Sequence, residues 1–314
     1  MSLIRILTGR IRKRIAFIFK KNKFLRPSRV VVELTNRCNL NCPFCLVGQQ
    51  NDQKSVAHDD LQREFGYIEL SLVKKIIRDA KAFGMNEILL TFQGESLLHK
   101  QVVDFVKLSK EKGLRSIIFT NGLLLSPEHS RRLVLAGLNE VRFSVDGASN
   151  ETYQQNRVGG RFEEVYNNMK DMVRIAQEEG SNMHLIWQFI VLRNNEHEVE
   201  IAGKMARDIG IEFQPKTFAE SAPELATQYS KYRRRWQPKP CKDLYRSMWV
   251  YWNGDVVPCC YDLTGKEILG NVNQNTLEEI WNGECYASFR KRIAEAVVQP
   301  ISEPELCKHC LKWA

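Results

Sequence analysis

From Arg29 to about Phe218, short apolar runs alternate with longer stretches whose apolar residues recur three and four positions apart, the signatures of strands and helices. The runs predict strands over Val30–Thr35, Glu87–Phe92, Arg115–Thr120, Glu140–Val145, His184–Leu192 and Ile211–Phe218. Between them, helices are expected near Glu69–Phe83, Gln101–Lys112, Pro127–Ala136, Phe162–Glu179 and Glu196–Ile209. Such alternation implies a parallel sheet with right-handed crossovers, and six strands fall short of the eight in a closed barrel. The expected fold class is therefore α/β, a partial (β/α)6 TIM-like barrel over residues 29–218. Three strands end in Gln93-Gly94-Glu95, Asn121-Gly122 and Asp146-Gly147. The carboxyl ends of parallel strands are where α/β barrels build their sites.

The pattern changes on either side of this region. Residues 219–240, with Arg233-Arg234-Arg235 and prolines, read as a linker. After it, Ser247–Trp252 and Asp255–Cys259 flank Asn253-Gly254, a strong hairpin signal, and helices are expected near Thr276–Trp281 and Glu284–Val297. Residues 241–314 are thus expected to form a small β-hairpin/helix domain. Before the barrel, Ile4, Leu7, Ile11, Ile15 and Ile18 recur at helical spacing, so residues 1–28 read as a basic amphipathic arm.

Charge sharpens that division. Ten of the 46 basic residues precede Glu33, the first acid, and the remaining 36 face 37 acids. The excess belongs to the arm, so nucleic-acid binding is not expected. The arm suits either packing on the main domain or contact with an anionic membrane surface. No apolar run approaches the ~20 residues of a membrane-spanning helix, and the start lacks the features of a secretory signal. The expected location is cytoplasmic, with peripheral membrane contact through the arm as the alternative.

Nine cysteines in a reducing compartment point to metal binding or catalysis in preference to disulfides, and their odd number defeats complete pairing. Cys38, Cys42 and Cys45 fall within eight residues directly after a predicted strand. Structural zinc sites usually take four ligands in two separated pairs. Three closely spaced thiolates suit an iron-sulfur cluster with one iron left open.

With this Cys-x3-Cys-x2-Cys loop and the polar strand ends together, the chain from Arg29 to Ala314 resembles the radical S-adenosylmethionine (SAM) enzymes. The resemblance implies a 4Fe-4S cluster on Cys38, Cys42 and Cys45, its open iron chelated by the amino and carboxylate groups of SAM. It further implies reductive cleavage to a 5′-deoxyadenosyl radical that abstracts hydrogen from a substrate carbon. Phe44 matches the aromatic beside the adenine. Gln93-Gly94-Glu95 stands where the family commonly has Gly-Gly-Glu, with Glu95 facing the methionyl ammonium. Asn121 and Ser144 sit where relatives approach the ribose or carboxylate, and Arg157 resembles the arginine that pairs with the carboxylate. Val191 and Leu192 are candidates for an apolar wall under the adenine.

Cys241, Cys259, Cys260, Cys307 and Cys310 form a second constellation. The text around them, including Gly254–Cys259, Leu269–Val272 and Leu277–Trp281, resembles the SPASM/twitch extension of radical SAM enzymes. Its cysteine count implies one auxiliary 4Fe-4S cluster, on Cys241, Cys259, Cys307 and Cys310; a four-cysteine zinc site has the same ligand inventory. This layout resembles the aminocyclitol dehydrogenase of butirosin biosynthesis. The resemblance implies an oxidoreductase acting on a sugar or cyclitol, reduced by a flavodoxin or ferredoxin. Two alternatives stay open: an epimerase or peptide-modifying enzyme with Cys260 as hydrogen donor, and a non-catalytic metal-binding electron carrier. Cys285 is expected to pack, and His99, His129 and His197 to be surface or cap residues.

Overall fold

In a computed structural model the described residues are 26–51, 63–217, 241, 243–298 and 305–307. Nearly all of the arm, the linker and Cys310 lie outside them. Nine strands form one open sheet in the order β6-β5-β4-β3-β2-β1-β7-β8-β9. The first six are β1 Arg29–Val32, β2 Glu87–Leu90, β3 Arg115–Thr120, β4 Glu140–Ser144, β5 His184–Val191 and β6 Glu212–Thr217. Each pairs in parallel with the next. The sheet is a partial barrel, as expected.

The C-terminal hairpin, β7 Ser247–Val250 and β8 Asp255–Val257, extends this same sheet. β7 pairs in parallel with β1, and β8 runs back antiparallel to a short β9, Gly270–Asn271. The iron-sulfur candidate region is therefore joined to the barrel by backbone hydrogen bonds.

Helices cover the outer face. Helix Leu70–Ala82 buries Leu72, Val73, Ile76, Ile77 and Ala80 along one stripe. Helix Pro127–Ala136 begins with the Ser126 hydroxyl accepting from His129 N and ends at Gly137, whose φ of 86° suits only a residue without a Cβ. Helix Leu277–Asn282 starts with a Thr276/Glu279 capping box. These helices and the outward strand residues make the large core, while Val31, Leu89, Ile117, Trp249, Tyr251 and Val257 form a separate inner cluster.

Differences from expectation sit at element ends. β1 is assigned only to Val32, although Glu33 N still donates to the Val250 carbonyl; beyond it the side chains of Glu33, Thr35 and Asn36 bind Arg63, the Gly66 carbonyl and the Glu64 carbonyl. Two short helices, Leu46–Asn51 and Asn150–Asn156, were not foreseen; the second is nucleated by the Ser149 cap. The helix expected from Glu196 opens as a 3-10 turn, and the α-helix spans Val199–Asp208. His99 is buried, bonded to the Ile68 carbonyl at 2.9 Å, and burial lowers its pKa. Cys285 is exposed.

The amino ends of the strands carry alternating charge. Arg115 pairs with Glu87 at 2.8 Å and Glu140 at 3.4 Å, and His184 lies 3.7 Å from Glu140 and 2.7 Å from Glu212. Arg29, level with Glu87, reaches Asp243 at 3.5 Å.

Candidate active site

At the opposite, carboxyl end the loops surround a cavity of about 650 Å³. It is lined by the three cysteines of the first loop, by Phe44, Gln93, Gly94 and Glu95, and by Asn121, Ser144 and Arg157. All these sequence candidates converge, although they lie on loops after four different strands.

The cysteine loop is held by backbone contacts. Asn41 N donates to the Val158 carbonyl, and Cys45 N to the Cys42 carbonyl. Gly94 explains how close the next loop comes: with φ +70°, its missing Cβ would lie 2.4 Å from the Thr35 carbonyl oxygen and 2.6 Å from that of Arg37. Glu95 N donates to the same Arg37 carbonyl at 2.8 Å.

Glu95 is buried, and its oxygens accept from Leu97 N at 3.0 Å and Asn121 N at 2.8 Å. Burial nevertheless holds its pKa above the usual carboxylate range. Asn121 turns its amide to Asn39 Oδ1 at 2.8 Å, with Cys38 Sγ 4.0 Å away. Burial pushes the Cys38 thiol up to about 12 and raises Cys42 as well, with Arg157 pulling Cys42 back. Thiols in such a setting deprotonate when a metal takes the proton's place.

Arg157 lines the cavity and has a partner that its expected role did not include. Its Nε and Nη2 bind Asp146 Oδ2 at 2.8 and 2.6 Å, and Nη1 lies 3.7 Å from Cys42 Sγ. The fork expected to meet a cofactor carboxylate is thus largely taken by Asp146, since a buried carboxylate requires a partner. Burial works against the guanidinium charge, but Asp146 and then Cys42 outweigh it and its pKa is held above the ordinary value. Its plane also lies 5.4 Å from the Phe44 ring centroid. Asp146 is the residue that sequence reasoning passed over, although its place at a polar strand end was the available signal.

Two further placements differ. Val191 is fully buried in the outer core, and Ile190 lines the cavity instead, because neighbouring strand residues face opposite sides. Leu192 is also fully buried and outside the lining. Gln93 lines the cavity but spends its amide on the Leu263 carbonyl at 2.7 Å, tying the C-terminal region to the barrel mouth.

The inward faces of the strands have two characters. Phe92 packs on Trp249 and Tyr251, with ring centroids 4.9 and 5.4 Å apart, and Phe119 and Cys260 join this wall. Across from it the register places Ser144, Gln188 and Gln214 in one row. The carbonyl oxygens of both glutamines and the indole N–H of Trp249 are buried without a hydrogen-bond partner.

Cys259 faces away from Cys260. With Cys241 and Cys307 it lines a second cavity of about 20 Å³ between Leu244, Phe289 and Ile293. Among the described residues no three Cys, His, Asp or Glu side chains are placed to hold a single metal ion. A 4Fe-4S cluster asks instead for one thiolate on each of several irons. The first donor set fits that group, with three thiols open to a cavity with room for a ligand; the second gathers three thiols around a much smaller space.

Comparison with known proteins adds the family. The Radical SAM superfamily profile matches residues 32–205, and that of the SPASM iron-sulfur cluster-binding domain matches 241–311. A GTP 3′,8-cyclase from Peptoclostridium acidaminophilum is 32% identical over 187 residues, covering 58% of this chain and 53% of that protein. The chain thus spans about half the length of such curated relatives. The tungsten-containing aldehyde ferredoxin oxidoreductase cofactor-modifying protein of Pyrococcus furiosus is 25% identical over 305 residues, with 82% of each chain covered. Among solved structures, Streptococcus suis SuiB bound to S-adenosylmethionine superposes with a TM-score of 0.70 at 15% identity, covering 90% of this chain and 72% of that one. BtrN in complex with AdoMet and 2-DOIA gives 0.56 at 21%, covering 90% and 92%. These likenesses show a shared fold.

Proposed function

The chain belongs to the radical SAM superfamily, and from that premise we propose that it is an oxidoreductase acting on a hydroxyl-bearing ring, a sugar or cyclitol, with an auxiliary 4Fe-4S cluster accepting an electron. Superfamily and SPASM domain together bring 4Fe-4S clusters and SAM as cofactors, and the superfamily is one of enzymes, which sets aside the electron-carrier reading. In the proposal Cys38, Cys42 and Cys45 hold the first cluster. Cys241, Cys259, Cys307 and Cys310 hold the second, with Cys310 outside the described residues. When bound and reduced, the first cluster and SAM supply the 5′-deoxyadenosyl radical that abstracts hydrogen from substrate.

The convergence of three thiols, Glu95 and a room of about 650 Å³ at one end of the barrel carries this reading. Phe44 and Ile190 offer apolar walls for an adenine. Glu95 keeps lone pairs beyond its two backbone bonds, so it can still accept from an ammonium. Asn121 and Ser144 offer polar contacts for ribose or carboxylate. A flavodoxin or ferredoxin is the reductant that suits such an enzyme.

The lumen supports the substrate class. A ring with hydroxyl groups stacks its C–H face on aromatics, and Phe92 and Phe119 line the cavity, with Thr91, Gln93, Thr120 and Ser144 beside them to meet hydroxyl groups. A triphosphate asks for several uncommitted cations, whereas among the described residues the cavity lining holds one, Arg157, and Asp146 engages it. Cys260 favours a second reading: it packs on the wall that includes Phe92 and Phe119, where a thiol could return hydrogen to a substrate radical in an epimerisation.

Anaerobic reconstitution of the full chain tests the proposal. Two clusters give about eight irons, and reduction with SAM should yield 5′-deoxyadenosine, faster with a cyclitol or amino sugar than with GTP. Acceleration by GTP alone would overturn the substrate class. Cys260→Ala should leave oxidation intact, while loss of substrate-carbon inversion with continued deoxyadenosine formation would favour the second reading.

A further inference from the structure

We propose that Asp146 and Arg157 act as a charge pair setting how readily the cluster on Cys38, Cys42 and Cys45 takes an electron, with Asp146 as the positioning residue. The inference rests on the reading that this triad holds a 4Fe-4S cluster. Cys42 is the most buried of the three thiols, and its sulfur has a guanidinium N–H 3.7 Å away. Among the described residues the other two loop thiols have no charged donor at such a distance; Asn121 offers Cys38 only a neutral amide at 4.0 Å.

Hydrogen bonds and net charge around cluster sulfurs are the levers by which a protein tunes reduction potential. A cation bonded to a ligand sulfur favours the more negative, reduced state. Arg157 cannot drift from this position, because Asp146 grips both Nε and Nη2. Asp146 is itself locked: its second oxygen accepts from Ile190 N at 2.6 Å, and its carbonyl accepts from Asn156 Nδ2 at 2.8 Å and Asn195 Nδ2 at 3.2 Å. The aspartate both aims the cation and partly cancels it, so the two charges act on the cluster with opposite sign.

That opposition is the test. In EPR-monitored redox titrations of the reconstituted full chain, the triad's cluster is recognised as the signal that changes when SAM is added. Arg157→Met removes the cation and should make that cluster harder to reduce, by at least tenfold in the reduction equilibrium, or 59 mV for one electron. Asp146→Asn keeps an acceptor for the guanidinium but removes the opposing charge, and should shift the potential the other way. The double variant should fall between them. If Arg157→Met does not fold, Arg157→Lys, which keeps the charge and loses the fork, should give a smaller negative shift. Unchanged potentials, or shifts of the same sign in both single variants, would overturn the proposal. No SAM-responsive signal in the wild-type chain, together with unchanged iron content when all three loop cysteines are replaced by Ala, would instead overturn the cluster reading on which it rests.

Discussion

The same six strands carry charged side chains at both ends, and the two ends treat them in opposite ways. At the amino end Arg115, His184 and Glu212 remain 48%, 48% and 43% exposed; Arg115 meets Glu87 and Glu140 across neighbouring strands, and His184 meets Glu212. At the carboxyl end Glu33, Glu95 and Asp146 are 0–3% exposed, and each is satisfied by a different device. Glu33 takes a bidentate bond from Arg63, Glu95 takes backbone N–H groups, and Asp146 takes Arg157 together with a backbone N–H. Exposed pairs in water are cheap and weak, whereas buried charges stand only if every partner is in place. The first arrangement suits a scaffold, and the second suits a site whose groups must hold position.

Removing one partner at the buried end should have the largest effect. Arg157→Ala leaves Asp146 uncompensated and should cost about 3–5 kcal/mol in urea unfolding of the apo chain. A loss below about 1 kcal/mol would mean that water reaches the pair and the contrast between the ends is overstated. Next comes Gly94→Ala, where a left-handed φ and two carbonyl oxygens under 3 Å oppose the added methyl. We expect a loss of about 1–3 kcal/mol and poorer iron incorporation, because the strain falls on the loop that carries the triad.

The pH dependence of the two ends should differ in sign. Glu95 has a raised folded-state pKa through burial, so its contribution is fully present below the unfolded value and lost as pH rises through the folded one. Glu212 is held low, first by the Gln214 amide and also by His184; its contribution is present above the unfolded value and lost as pH falls through the folded one. Between about pH 4 and about pH 6, the melting-temperature gap between wild type and Glu95→Gln should narrow while that for Glu212→Gln widens. Parallel trends would show that both carboxylates sit in water. The smallest effect belongs to Arg115→Ala, about 0.2–1 kcal/mol and diminishing in salt, since its guanidinium is half-exposed and Arg142 still pairs with Glu140 when it is removed.

Legibility followed the range of the forces. Strands and long helices were readable because periodicity and caps are local: Pro127–Ala136 and Arg115–Thr120 run as their patterns indicate, and most other elements differ only by a residue or two at their ends. The cysteine loop, Gln93-Gly94-Glu95, Asn121 and Ser144 were readable as strand-end residues, and they do line one cavity. Hydrogen-bond partners were not readable. Gln93 reaches Leu263, 170 positions away, and Arg157 meets Cys42, 115 positions away; no local pattern encodes either choice. Val191 was misplaced by a single residue, although Gln188 in the same strand marks the side that Ile190, two positions on, shares.

By itself, then, the amino-acid sequence determined the succession of strands and helices, the places where polar residues leave the strands, and the thiol spacing that suits an iron-sulfur cluster. The tertiary structure alone decided that the C-terminal hairpin continues the barrel sheet through β1, that Cys259 and Cys260 face different chambers, and that Asp146 claims Arg157. Periodicity is written residue by residue, but the partner of a buried charge is chosen only when distant segments exclude water together.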